Sequence, residues 1–172
     1  MAYDETLKLQ DMLRAYHDGI TPISLPGNKV GMYDGKYASK GDLVTMYLNG
    51  CIATILHMES EGGRSGILTH FTQRQWINNL EKIEELIGKN IKLRVSSCRS
   101  VIIAPDDLSI HAESNPIEVL SLRGSISNAL GCTECKIGVV PYKMFGHKFG
   151  LTVTFSPGRR EWESEQHGIR NL

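Results

Sequence analysis

Cys51 and His70 are the residues of this chain whose types and spacing point most directly to chemistry. Cysteine attacks as a thiolate, and a thiol of ordinary pKa, roughly 8.5, is only slightly ionised at neutral pH. A histidine within hydrogen-bond reach corrects this by taking the thiol proton and later handing it to a leaving group. A third group that orients the imidazole completes such a constellation, and Thr45, six residues before Cys51, supplies a hydroxyl for that role. Acyl transfer also calls for donors to a developing oxyanion. The backbone N–H groups of Gly50 and Cys51 and the side-chain amide of Asn49 are the candidates. Tyr47, two residues after Thr45 on an extended segment, is expected on the same face as Thr45, in the core or along a substrate cleft.

These side chains need elements to hold them. Residues 43–48 and 52–58 are apolar runs of β-type composition separated by Asn49-Gly50, a dipeptide that favours a sharp turn, so Cys51 is expected at the shoulder of that turn. Residues 66–69 form a third short strand after a polar turn containing Gly62-Gly63. If residues 52–58 and 66–69 pair, Cys51 and His70 meet at one sheet end. A helix is expected directly after His70. Thr72 and Gln75 have capping-box spacing, Phe71 and Trp76 the matching hydrophobic staple, and Trp76, Ile77, Leu80, Ile83 and Ile87 recur at helical intervals up to Gly88.

Elsewhere, residues 5–17 fit an amphipathic helix, and residues 19–40 read as a loop with one short extended piece. Strands are expected over 91–96, 101–104, 117–122, 136–140 and 149–155, with a helical turn at 125–131. The polar residues 161–172 are expected to fray. With no internal repeat or composition break, the chain reads as a single domain over 1–172. Its fold class is α+β, a central β-sandwich flanked by helices.

Composition narrows the function classes. Nineteen Lys and Arg balance nineteen Asp and Glu, so the basic excess of a nucleic-acid binder is missing. No apolar run approaches the roughly 20 residues of a membrane-spanning helix, and the acidic start, Met1 to Glu5, is unlike a secretory signal. A cytoplasmic location is the default expectation, export as an effector or toxin the alternative. Four cysteines are too few for a disulfide scaffold in a chain of 172 residues and are expected to be reduced. Cys132 and Cys135 form a single C-x-x-C. Zinc there would need two further ligands, for which Cys98 and His147 are the only plausible pair, so ordinary residues near a turn are the expectation and no metal is assigned. His57 is expected half-exposed on its strand, with His111 and His147 in turns.

The run Thr45-Met46-Tyr47-Leu48-Asn49-Gly50-Cys51-Ile52-Ala53-Thr54, followed by Gly66-Ile67-Leu68-Thr69-His70-Phe71, resembles the active-site region of the CheD and cytotoxic-necrotizing-factor group of protein-glutamine deamidases. The step Leu48-Asn49-Gly50-Cys51 is similar to the L-S-G-C of the toxin branch. The spacing Gly66-x-x-x-His70 and the Thr six residues before Cys are similar to CheD. The resemblance covers residues 43–71. It implies a β-sandwich-centred fold and a nucleophile at Cys51, with His70 as acid and base and Thr45 as its orienting partner. It also implies a protein substrate presenting an exposed glutamine, with neither metal nor cofactor. The Gly-Gly-Ala segment that leads to Met-Phe in the second half of CheD has no counterpart here, so the resemblance points to a toxin-like or orphan member. Three other readings compete: a cysteine peptidase or amidase with the same nucleophile, a non-catalytic interaction domain in which Cys51 is a core residue, and a metal or redox protein centred on Cys132 and Cys135.

Overall fold

The computed structural model describes residues 21–131, 134–144 and 150–172. The helix expected over 5–17 lies outside them, as do Cys132 and His147. The described residues form ten strands and two helices: β1 (Lys29–Val30), β2 (Asp34–Ala38), β3 (Leu43–Leu48), β4 (Ile52–Ser60), β5 (Gly63–Phe71), α1 (Trp76–Asn90), β6 (Val95–Pro105), α2 (Ile117–Leu130), β7 (Cys135–Tyr142), β8 (Leu151–Ser156), β9 (Glu161–Ser164) and β10 (Gly168–Asn171). They make an α+β fold with two five-stranded mixed sheets, ordered β1-β3-β8-β9-β10 and β2-β5-β4-β6-β7. The parallel pairs are β1 with β3 and β6 with β7.

Two cores explain the layering. Leu43, Leu48, Val153, Phe155 and Trp162 of the first sheet meet Ala53, Ile55, Leu68 and Ile103 of the second. On its other face the second sheet packs Ile52, Leu56, Ile67 and Ile102 against Trp76, Ile83 and Ile87 of α1 and Val119, Leu122 and Ile126 of α2. The second sheet is therefore the middle layer, which is why β4 is buried on both faces for seven consecutive residues. Both helices lie on the one side of the sandwich. No helix among the described residues is long and apolar enough to cross a membrane.

The elements around the chemistry fall where the sequence pattern puts them, but several others do not. Residues 117–122 begin α2 instead of forming a strand. Ile117 and Val119 carry strand propensity, yet the buried positions Val119, Leu122 and Ile126 follow a helical interval, and Gly131 ends the helix with a left-handed φ of 64°. The strands expected over 91–96 and 101–104 are one strand, β6, beginning at Val95. Residues 19–40 hold two strands, β1 and β2, in different sheets. The tail does not fray: β9 and β10 form an antiparallel pair, held by Trp162, which is 2% exposed in the core between the sheets. A polar tail with one buried tryptophan is anchored by that residue, and charge counting misses it.

The capping box after His70 is not formed. Thr72 makes no side-chain cap, a single 3-10 turn at Gln73–Gln75 intervenes, and α1 runs through Gly88 to Asn90. Backbone and tertiary contacts replace the box. The Gln75 N–H donates to the Thr72 carbonyl, Gln73 Nε2 donates to Glu118 Oε1 at 2.8 Å, and Trp76 Nε1 donates to Ser121 Oγ at 2.8 Å. Ile77, expected on the apolar stripe, is exposed, and Asn79 is buried in its stead. His57, expected to be half-exposed, is 1% exposed and lies 3.0 Å from the Pro157 carbonyl through Nε2. His111 is half-buried, with its Nε2 3.1 Å from the Ala104 carbonyl.

Candidate active site

β3 and β4 lie in opposite sheets, so Asn49-Gly50 does not close a hairpin between paired strands; it hands the chain from one layer to the other. The crossing is tight. β3 carries a bulge between Thr45 and Leu48, Tyr47 has a left-handed φ of 62° and Gly50 a φ of 86°. Gly150 on the neighbouring segment lets this crossing approach: a Cβ there would sit 2.3 Å from the Tyr47 carbonyl carbon. The bulge breaks the two-residue alternation. Thr45 stays fully buried, whereas Tyr47 turns outward to 68% exposure, against the expectation that both share a face.

Cys51 follows the turn and enters the core between the sheets beside Ala53 and Ile55. Its exposure is 5%. β4 and β5 pair antiparallel with Ala53 opposite His70. Cys51 and His70 are therefore diagonal neighbours on one face, a spacing of about 7–8 Å between backbones that long side chains bridge. Gly66 keeps β5 in place under the facing sheet. A Cβ there would lie 2.2 Å from the Phe155 ring, so the glycine of the Gly66-x-x-x-His70 pattern is needed for sheet-to-sheet packing.

Thr45 joins the two layers at the imidazole. Its Oγ1 lies 2.8 Å from the Val30 carbonyl and 2.8 Å from His70 Nδ1. A hydroxyl has one proton, and the carbonyl can only accept, so the hydroxyl donates to Val30 and accepts from Nδ1–H. That fixes the tautomer: His70 Nε2 carries the lone pair. It is buried and has no hydrogen-bond partner among the described residues, so thiol and imidazole are not hydrogen-bonded to each other. Burial also sets the charge state. It pushes the Cys51 thiol up to about 11, against a hydrogen bond from the Asn49 backbone that acts in the lowering direction. It holds the His70 imidazole down at about 4. At neutral pH both groups are uncharged.

The remaining candidates separate. Asn49 is exposed. The Gly50 N–H is engaged: it donates to Tyr142 Oη at 3.1 Å, and that hydroxyl in turn donates to the Cys51 carbonyl at 2.6 Å. Tyr142, at the end of β7, thus ties the Gly50–Cys51 turn and is 1% exposed. Sequence reasoning misses it because it lies 91 residues from Cys51. Tyr33 is missed because it lies in the 19–40 stretch read as loop. Its N–H donates to the His70 carbonyl at 2.7 Å, and its phenol is shifted upward by burial and then by the neighbouring Cys51. Burial, followed by Cys51, also raises the Tyr142 phenol, so its proton remains to be donated.

A groove of about 590 Å3 adjoins the turn, lined by Asp106, Tyr142, Lys143, Met144, Gln166 and His167 among others. Met144 Sδ would be 3.9 Å from a Cβ on Gly50, which places the groove against the residue before Cys51. Among the described residues no group of three or more His, Cys, Asp and Glu is placed to hold a metal ion. No known protein family matches the chain, and no curated protein matches it either.

Proposed function

We propose that the chain is a cysteine-dependent protein-glutamine deamidase. The observation that carries this reading is the oriented imidazole. His70 is anchored through Nδ1 to Thr45, and its Nε2 is left, among the described residues, as an unpartnered base on the face that holds Cys51. The similarity of residues 43–71 to the CheD and cytotoxic-necrotizing-factor group supplies the substrate class.

The reaction starts from the neutral pair. Cys51 Sγ attacks the side-chain carbonyl carbon of a substrate glutamine while its proton passes to His70 Nε2. The imidazolium then protonates the departing nitrogen, and ammonia leaves a thioester on Cys51. Water adds to the thioester with His70 Nε2 as base. The thiolate departs, recovers the proton, and glutamate is released. One water is consumed and one ammonia formed for each glutamine converted. The thiol at about 11 and the imidazole at about 4 keep the proton on sulfur at rest, so transfer belongs to the substrate-bound state. The resting site is closed to solvent, with Cys51 and His70 at 5% and 4% exposure.

The same burial favours one competing reading, a non-catalytic interaction domain whose Cys51 is a core residue. Incubating a cell lysate with the wild-type chain or with Cys51→Ser separates the two. The deamidase reading predicts glutamines that gain about one mass unit with the wild type alone, the change from carboxamide to carboxylate. A lysate in which no glutamine distinguishes the two proteins removes that reading in favour of the interaction domain.

A further inference from the structure

The single C-x-x-C of the sequence draws attention to Cys135, but its described neighbour comes from another strand. Cys135 opens β7 and is the register partner of Cys98 on β6. Their Sγ atoms are 2.8 Å apart, and the residues are 2% and 5% exposed. Directly paired residues on adjacent strands point to one face with backbones about 4.8 Å apart. That lies inside the roughly 4.4–6.8 Å range of Cα separations that a disulfide spans. Joining them closes the sulfurs from 2.8 Å to the roughly 2.05 Å of a disulfide bond.

We propose that Cys98 and Cys135 are a reversible dithiol–disulfide site whose co-reactant is a low-molecular-weight disulfide such as oxidised glutathione. The way in is a groove of about 670 Å3 lined by Cys98 together with Arg94, Arg99, Lys136, Glu61 and Glu134. Its three cations against two carboxylates suit an anionic peptide disulfide. In the forward reaction the Cys98 thiolate attacks one sulfur of the co-reactant, breaks its S–S bond and expels one thiol. Cys135 Sγ then attacks Cys98 Sγ and expels the second. The protein loses two hydrogens, which leave on the two released thiols, and a dithiol reductant reverses both steps.

The bond acts on β7. This strand is the outer one of its sheet and pairs only with β6 among the described residues. It starts at Cys135 and ends at Tyr142, whose hydroxyl ties the Gly50–Cys51 turn. A covalent link at its first residue holds the strand that delivers Tyr142. The link also closes a 37-residue span in the unfolded chain, so oxidation raises the thermal midpoint. This site stands independently of the deamidase reading.

The test equilibrates the full chain in glutathione redox buffers, quenches with acid, alkylates the remaining thiols and maps the peptides by mass. The expected result is one internal cross-link joining Cys98 to Cys135, Cys51 still alkylated, full reversal by dithiothreitol, and the same cross-link in Cys132→Ser. Amide exchange across residues 136–142 should slow in the oxidised form. The proposal is overturned by a cross-link to Cys132, by stable glutathione adducts without a cross-link, or by four alkylated thiols under the most oxidising buffer. Unchanged exchange across 136–142 would overturn the clamp on β7. Should Cys132→Ser not fold, the wild-type peptide map decides alone.

Discussion

Thr69 and His70 are adjacent on β5 and face opposite layers, and the two polar clusters they enter are built on opposite rules. Toward the helices, the Thr69 hydroxyl donates to Asn79 Oδ1 at 2.6 Å, and Asn79 Nδ2 donates to the Thr54 hydroxyl at 3.1 Å. All three residues are buried, and the cluster ties α1 to β4 and β5. Toward the facing sheet, Thr45 satisfies one nitrogen of His70 and nothing among the described residues satisfies the other. The other buried side-chain atom without a hydrogen bond among the described residues, Glu59 Oε1, has ion-pair partners in Arg64 at 3.2 Å and Arg160 at 3.8 Å. A buried polar atom left unpaired costs about 1–3 kcal/mol, and such atoms are rare enough to call for a reason. The closed cluster ties helix to sheet; the open one leaves Nε2 as the base that the proposed deamidase chemistry needs.

The sharpest way to break this comparison is at the proposed nucleophile. Cys51→Ser should lower turnover at least about 1,000-fold with little change in thermal midpoint, read by ammonia release. The acid limb of stability comes next. An imidazole held near 4 when folded and 6.5 when unfolded takes up protons preferentially in the unfolded chain between those values. Stability is therefore full above pH 6.5 and falls as pH drops toward 4, by about 3 kcal/mol at roughly 1.4 kcal/mol per pH unit. Burial also lowers the His57 imidazole, which contributes in the same direction. Urea unfolding of wild type and His70→Gln at several pH values isolates the His70 share as the difference.

Asn79→Ala should cost about 2–3 kcal/mol by stranding the hydroxyls of Thr54 and Thr69, with turnover per folded molecule unchanged. A turnover loss beyond the unfolded fraction would show that the two clusters are not separable. Thr45→Val frees the imidazole from its anchor and should lower kcat about 10-fold with KM unchanged. Equal turnover in Thr45→Val would mean that the packing of β5 alone orients the ring. The smallest effect belongs to Tyr142→Phe, which strands the Gly50 N–H and the Cys51 carbonyl. A midpoint lowered by an amount equivalent to about 1 kcal/mol is expected in thermal unfolding.

The sequence was most legible where local pattern and chemistry coincide. The turn before Cys51, the pairing of β4 with β5, and the helix after His70 are encoded in one continuous stretch, residues 49–90, and fall in place. The face of Tyr47 was not legible, because a bulge at Thr45–Leu48 depends on Gly150 a hundred residues away. The same applies to Tyr142 against the Gly50–Cys51 turn and to Cys98 beside Cys135, which only the sheet order brings together. The strand expected at 117–122 fails for a different reason: β-branched residues set a local preference that packing on the middle sheet overrides. Which ring nitrogen of His70 is free also requires the position of the Val30 carbonyl, on a segment read as loop.

The most direct measurement is the pair of imidazole nitrogen chemical shifts of His70, followed by NMR in nitrogen-15-labelled protein across pH 4–8 and assigned with His70→Gln. A protonated Nδ1 and an unprotonated Nε2 are expected at neutral pH, with Nε2 taking up a proton only as pH falls to about 4. A proton on Nε2 at neutral pH, or a titration midpoint near the ordinary 6.5, would contradict the free base on which the proposed chemistry rests.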